Sequence, residues 1–285
     1  MTTGQRIEQA DIMLIGGSGT WAAHFPEEIP EPGVHVASTG HRFETPYGPT
    51  APLKLLEVEC DDGTRRRCWR VPMHGLQPGV PERNLEQAEA IFWVAAEAGV
   101  RKILVDGSVG GINTMLEVGD IVVPHDFIDR RTRTTRAFQG DVQVRMRQAL
   151  CPSLRADLIE AAEGLYRRVM RRSVYIAAEG PRFESPAEIA MFRQWGADIV
   201  GQTLTPEVYL ARAIGACIGG VYIVSNPAED PDTPWTLDDM RTFYRTCAPT
   251  MGQVTLRALK RLRLHAPCGC GNLRTTSLAD LLKDR

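Results

Sequence analysis

Short apolar runs alternate with helical patterns along this chain. Ile12–Ile15 stops at Gly16, Ile103–Val105 at Asp106, Ile121–Val123 at Pro124, Val174–Ile176 at Ala177 and Val221–Val224 at Ser225. Continuous runs this short, several rich in Val and Ile, predict strands buried on both faces. Between them, Glu86–Ala98 places Ala90, Ile91, Val94, Ala95 and Ala98 at helical spacing before Gly99. Leu154–Met170 does the same with Leu158, Ala161, Ala162, Leu165 and Val169. Helices are also predicted over Ala187–Trp195, over Val208–Ile214 ahead of Gly215, and from Leu237 to Leu264, where Thr236 and Asp239 form a capping pattern.

Strand–helix alternation over the whole length predicts an α/β fold: a single domain, residues 1–285, with a C-terminal tail from about 266. Val34–Ala37, Thr45–Gly48, Leu53–Val58 and Arg67–Val71 read as antiparallel strands, so the expected architecture is a twisted mixed β-sheet flanked by helices. The stretch Asn226–Pro234 holds three prolines and three acids, and is expected to be an exposed, mobile loop.

Composition narrows the function classes without choosing one. The 285 residues include 33 Lys+Arg against 35 Asp+Glu, a net charge of −2, with 43% hydrophobic and 24% charged positions. That balance excludes disordered, collagen-like and disulfide-scaffold chains. It gives no case for a nucleic acid or a membrane surface as partner. No apolar run approaches the roughly 18 residues of a membrane helix, and MTTGQRIEQAD lacks the apolar core of a signal peptide. Seven scattered cysteines suggest free thiols in a reducing compartment, so the expected location is cytoplasmic.

Several segments could carry chemistry. IGGSGT, Ile15 to Thr20, follows a strand; its glycines let amides approach an anion, and Ser18 adds a hydroxyl. Three readings stand: an anion or substrate loop, favoured here, a plain tight turn, and a dinucleotide fingerprint, which needs a helix next where Pro26 and Pro30 oppose one. VDGSVGGIN, Val105 to Asn113, puts three glycines and Ser108 past a strand, at the sheet edge where ligands of open α/β sheets bind, or else forms a bulged strand-to-loop transition. Neither loop has GK[ST] or G-x-S-x-G, which excludes a P-loop and a hydrolase elbow. His74 in VPMHG is a structural hydrogen-bonder or a catalyst. Phe183 could stack on a heterocycle, near Gln202 and Thr203 in loops. Asn226 in VSNPAED can donate and accept at once, or simply make a turn with Pro227. In the tail, His265, Cys268 and Cys270 offer three possible zinc ligands where a tetrahedral site wants four, so inert thiols or a redox-active cysteine pair are expected rather than a metal site.

Taken together, EGPRFESPAEIAMFRQWGADIVGQTLTPEV, IGGSGT, ETPYGPTAPL, LEVGDIVVPHDFIDR and the CGCGN tail resemble the trimeric purine nucleoside phosphorylases, in the branch of 5′-methylthioadenosine phosphorylase. The resemblance covers nearly the whole chain. It implies a homotrimer, or a hexamer, with sites near subunit interfaces, and no cofactor beyond inorganic phosphate as co-substrate. Phosphate attacks the ribose C1′ and expels the purine, leaving (methylthio)ribose 1-phosphate. By resemblance, Ser18, Met73, His74, Gly107, Ser108 and Thr203 fall at phosphate, while Val109, Gly110, Phe183, Val200, Gln202, Asn226 and Ala228 fall at the nucleoside. Ser18, His74 and Asn226 take the catalytic positions, with Asn226 facing N7 and the six-position of the base.

The sequence departs from that pattern in four places. Met73 stands where the family carries an arginine that clamps phosphate, and Gly107 replaces a threonine, with Ser108 adjacent. Gln202 replaces a methionine at the ribose. Asn226 and Ala228 replace aspartates of adenine-directed members, and asparagine suits a 6-oxopurine; Asp230 and Asp232 are nearby alternatives. The expected function is phosphorolysis of 5′-methylthioadenosine. The alternatives are a 6-oxopurine nucleoside phosphorylase, a binding homologue without turnover, and a hydrolase. Met73→Arg is expected to raise phosphate affinity, unless the Arg130–Arg136 cluster already supplies the cation.

Overall fold

A computed structural model describes residues 6–29, 31–74, 85–132, 143–180, 182–229 and 234–275. Eleven strands form one sheet: β1 (Ile12–Ile15), β2 (Val34–His41), β3 (Leu53–Glu59), β4 (Arg65–Val71), β5 (Lys102–Gly111), β6 (Ile121–Val122), β7 (Asp126–Asp129), β8 (Val169–Met170), β9 (Val174–Ala177), β10 (Ile199–Gly201) and β11 (Cys217–Pro227). Its main order is β8-β6-β11-β5-β1-β4-β3-β2, and a branch β7-β9-β10 joins at β5. The centre, β11, β5, β1 and β4, is parallel, while β2, β3 and β4 run antiparallel. The sheet is mixed, as the sequence pattern predicts.

Continuous apolar runs at the centre are explained by cover on both faces. Met13 and Ile15 of β1 pack into one core cluster with Ile91 and Phe92 of α1 (Leu85–Glu97) and Val208 of α4 (Leu204–Ala213). Ile12 and Leu14 face the other cluster, with Leu154 and Leu158 of α2 (Pro152–Glu163) and Met251 and Leu259 of α5 (Leu237–Arg261). The remaining helix, α3 (Pro186–Gln194), has a complete capping box between Ser185 and Glu188, and α5 has one between Thr236 and Asp239. No helix among the described residues is long and apolar enough to cross a membrane.

Three predicted segments differ. The helix expected to run to Met170 stops at Glu163: the amides of Leu165 and Tyr166 both turn back to the Ala162 carbonyl, and Val169–Met170 pairs with β6 instead. The glycine-rich stretch after Val105 is strand rather than loop. β5 continues to Gly111 because Gly110 and Gly111 pair with Val200 and Ile199, where the lack of side chains lets β10 approach. Asn226 and Pro227 likewise belong to β11, and Asn226 and Ala228 are buried, so the expected mobile loop does not begin there. Asp230 and Asp232 lie outside the described residues.

Candidate active site

The carboxyl ends of β1, β4, β5 and β11 converge, as the parallel pairing requires. The Gly16 amide donates to the Val71 carbonyl at 2.8 Å and the His74 amide to the Gly16 carbonyl at 3.1 Å, stitching the loop after β1 to the segment after β4. Beneath this loop lies a buried acid. Asp106 of β5 accepts from the Gly17 amide at 3.2 Å and from the Thr20 hydroxyl at 3.0 Å. Burial pushes its carboxyl up to about 6, against the opposing pull of the Arg70 charge and these two donors. Arg70, from β4, is itself buried and lies over the Phe25 ring, 4.8 Å from the centroid. Its guanidinium occupies the space a Cβ on Gly16 would need, and the Asp106 carbonyl fills that of Gly17. Two glycines are therefore required by close approach.

Above the loop opens a cavity of about 320 Å³. At one end the Ser18 and Ser108 hydroxyls lie 2.7 Å apart, and the Ser108 amide donates to Ser18 Oγ at 3.1 Å. The Ser108 hydroxyl also meets the Tyr244 hydroxyl, 2.8 Å away on α5. His74 lines the same end, and its Nε2 is in direct contact with Glu207 Oε1 of α4. Glu207 is 0% exposed; its Oε2 and His74 Nδ1 are buried polar atoms without a partner among the described residues. Thr203, at the start of α4, donates its amide to the Tyr175 hydroxyl at 3.2 Å. Burial pushes the Tyr175 phenol up to about 12, so it acts here as a neutral hydroxyl.

The rest of the lining combines an aromatic ring with polar side chains. Phe183 is 48% exposed and meets Trp235 edge-on at 4.9 Å. Glu184, beside it, is buried, which raises its pKa, and accepts weakly from Gln202 Nε2 at 3.5 Å. A β-bulge between Val224 and Asn226 resets the end of β11. There Asn226 Oδ1 accepts from the Ser225 hydroxyl at 2.9 Å and Nδ2 donates to the Pro227 carbonyl at 3.0 Å. One lone pair and one N–H of the amide remain for a ligand. Gly110 forms part of this wall, where an added Cβ would stand 3.1 Å from Val200 and 3.3 Å from Ala228.

Of the residues singled out in the sequence, Ser18, His74, Ser108 and Thr203 line the cavity together with Val109, Gly110, Phe183, Val200, Gln202, Asn226 and Ala228. Two do not. Met73 is 3% exposed and points into the core with Trp69 and Val71, so it is a packing residue rather than a phosphate contact. Gly107 packs on Tyr222, whose ring would stand 3.0 Å from an added Cβ, and its carbonyl faces Gly19. Arg130 is committed over the Trp195 ring, 5.6 Å from the centroid, while Arg133 and Arg136 lie outside the described residues.

The sequence pattern missed Trp21, Glu184, Glu229, Leu237, Met240 and Tyr244, which also line the cavity. The last three share one face of α5, a helical spacing that could have been read from the sequence. Nothing local marks Glu184 or Glu207.

Residues 11–260 match the profile of the Phosphorylase superfamily. The chain is 34% identical over 264 residues to the probable S-methyl-5′-thioinosine phosphorylase of Methanopyrus kandleri, covering 91% of this chain and 96% of that one. It is 31% identical to the S-methyl-5′-thioadenosine phosphorylase of Pyrococcus horikoshii, covering 93% and 98%. Among solved structures, a methylthioadenosine phosphorylase from an antarctic soil metagenomic library superposes with a TM-score of 0.78 at 25% identity, over 94% of this chain and 92% of that one.

Proposed function

The chain belongs to the Phosphorylase superfamily, and from that premise we propose that it catalyses phosphorolysis of a 5′-methylthio purine nucleoside. Inorganic phosphate is the co-substrate, with no resident cofactor. The observation that carries this reading is one cavity lined by two serine hydroxyls and a histidine together with an aromatic ring, an amide and a buried carboxyl. Phosphate sits against Ser18, Ser108 and His74. Its oxygen attacks C1′ as the bond to N9 breaks, through a transition state with positive charge on the sugar, which the adjacent anion stabilises. The electron pair leaves on the purine, and the free N–H of Asn226 supports it at N7. Phe183 covers the base, and Leu237 and Met240 give an apolar end for the methylthio group.

S-methyl-5′-thioadenosine is the substrate named for the Pyrococcus horikoshii relative. A second reading, the same reaction on the 6-oxo counterpart, is favoured by Glu184. An ionised carboxylate only accepts hydrogen bonds, and of the two base types only the 6-oxopurine carries a donor at N1. The relative from Methanopyrus kandleri bears a 6-oxopurine substrate in its name. Both readings are tested by base release from methylthioadenosine, methylthioinosine, adenosine and inosine, with and without phosphate. Release that requires phosphate supports phosphorolysis. Undiminished release without phosphate indicates hydrolysis, and no release from any of the four indicates a binding protein.

We also assign a homotrimer in the cytoplasm. Exposed Phe183 and Leu237 at the cavity offer apolar surface for a second copy to cover, and all seven cysteines are free thiols. Light scattering that returns a monomer mass would overturn the first assignment.

A further inference from the structure

The opposite edge of the sheet holds a cluster that the proposed reaction does not use. Cys151, Cys217, Cys268 and Cys270 bring their sulfur atoms within 4.8 Å of one another. We propose that these four cysteines bind a structural zinc ion as a tetrathiolate.

The geometry fits the ion. Zinc–sulfur bonds of about 2.3 Å at tetrahedral angles place ligand sulfurs about 3.8 Å apart, and Cys217 Sγ and Cys268 Sγ stand at 3.5 Å. Small inward shifts bring the rest of the set to that spacing. Three separate segments deliver the ligands. Cys151 is the N-cap of α2, its amide held by the Ile218 carbonyl at 2.8 Å, and Cys217 opens β11. The tail supplies the other two. Gly269 between them has φ of +73°, a conformation glycine adopts freely, which lets the two flanking side chains share one side of a tight turn. The tail is anchored independently: Arg212 of α4, buried, donates to the Cys270 carbonyl at 3.0 Å and the Gln148 carbonyl at 2.8 Å.

Charge supports the same assignment. Lys102 is 3% exposed, pairs in register with Cys217, and its ammonium stands 3.6 Å from Cys217 Sγ. Four thiolates on zinc carry a net charge of −2, which a buried ammonium partly offsets. The other charges in this neighbourhood are Asp157 and Glu160 of α2, Arg263, and Arg212 at the Cys270 carbonyl. From Cys217 to Asn226 the strand spans about 30 Å, so the cluster lies outside the reach of the catalytic cavity. It ties the tail to the sheet rather than touching substrate.

Metal analysis tests this on the whole chain. Protein prepared with a thiol reductant and no chelator, then gel-filtered, is expected to hold one zinc per chain, released when a mercurial titrates the thiols. Cobalt(II) in place of zinc is expected to give the visible bands of a tetrahedral tetrathiolate. Cys268→Ser, which changes the half-buried member, is expected to weaken zinc binding by at least about ten-fold, while Cys60→Ser, outside the cluster, leaves it unchanged. Should Cys268→Ser fail to fold, the stoichiometry and the cobalt spectrum of the unaltered chain decide. A chain that takes up no zinc from an equimolar solution under reductant overturns the proposal, whether its four cysteines are then found free or paired as disulfides. So does full zinc retention in folded Cys268→Ser.

Discussion

The hydroxyl of Ser18, on the glycine loop, lies 2.7 Å from the hydroxyl of Ser108, ninety positions away on β5. The pair lines the cavity, and on phosphate binding each hydroxyl can turn its single proton away from this contact to donate to a phosphate oxygen. Hydrogen bonds to a charged group contribute about 1.5–3 kcal/mol. Ser18→Ala and Ser108→Ala should therefore each raise the KM for phosphate roughly 10- to 100-fold, with little change in the KM for nucleoside. Because the two groups share a contact, the double variant should lose less than the sum of the singles. Steady-state kinetics with phosphate varied at saturating nucleoside checks both statements, and unchanged phosphate dependence in both singles would place the anion elsewhere.

Behind His74, the carboxyl of Glu207 is fully buried and in direct contact with the ring Nε2. Glu207→Gln keeps a hydrogen-bonding partner for the imidazole but replaces one carboxyl oxygen with an N–H donor, which disturbs how the ring is held in the cavity wall. The expected result is a roughly 10-fold loss of phosphate affinity, the scale of about 1.4 kcal/mol for one weakened charged contact, with nucleoside affinity retained. Isothermal titration with each ligand separately distinguishes this from general damage, in which both affinities would fall together.

Met73→Arg carries the opposite expectation from the one its sequence position suggests. The side chain at 73 is packed among Trp69, Val71 and their neighbours rather than turned to the cavity. A guanidinium placed there is buried without a partner, a penalty of several kcal/mol. The variant should melt at a clearly lower temperature and bind phosphate no better than the parent. Tighter phosphate binding at undiminished stability would show that the segment can turn outward.

The reason position 73 misled is general to this fold. Central strands were legible because their apolar runs are continuous, and both faces of β1 do pack into core. Which side a residue takes just after a strand is set by partners far away, such as the bonds that join Gly16 to Val71 and His74. The same holds for the glycines of β5: read locally they look like loop, and only β10 crossing Gly110 explains them. Glu184 and Glu207 lie in loop and helical contexts that carry no local mark, so they surface only once the chain is folded. Likewise, the C-x-C of the tail looks incomplete until α2 and β11 bring Cys151 and Cys217 beside it.

Asp106 gives a pH test. Its carboxyl is raised from 3.8 to about 6 by burial, so the folded chain holds that proton more tightly than the unfolded one. A raised acid favours the fold below its ordinary value, and that contribution is lost as pH climbs through about 6. Asp106→Asn keeps an acceptor for Gly17 and Thr20 but cannot titrate. The stability of the parent relative to the variant should therefore grow on acidification from about pH 7 to about pH 4, by up to ~3 kcal/mol. Urea unfolding of both proteins across that range measures the difference, and a flat or falling difference contradicts the assignment.

Glu184 offers a test of which base is taken. It is buried at the cavity wall, where Gln202 Nε2 lies 3.5 Å from its carboxyl. As an acceptor it complements N1–H of a 6-oxopurine and opposes the N1 lone pair of an adenine. Glu184→Gln offers a donor in place of one acceptor oxygen. If the 6-oxo reading holds, kcat/KM for methylthioinosine should fall by roughly 10- to 100-fold, the scale of about 1.5–3 kcal/mol for a hydrogen bond to a charged group. That for methylthioadenosine should hold or rise, because the amide can donate to N1. Phosphate KM should not move, since Glu184 meets Gln202, whereas Ser18 meets Ser108 and His74 meets Glu207. Equal losses on both nucleosides would mean Glu184 shapes the pocket without reading the six-position, and would return the choice between bases to Asn226.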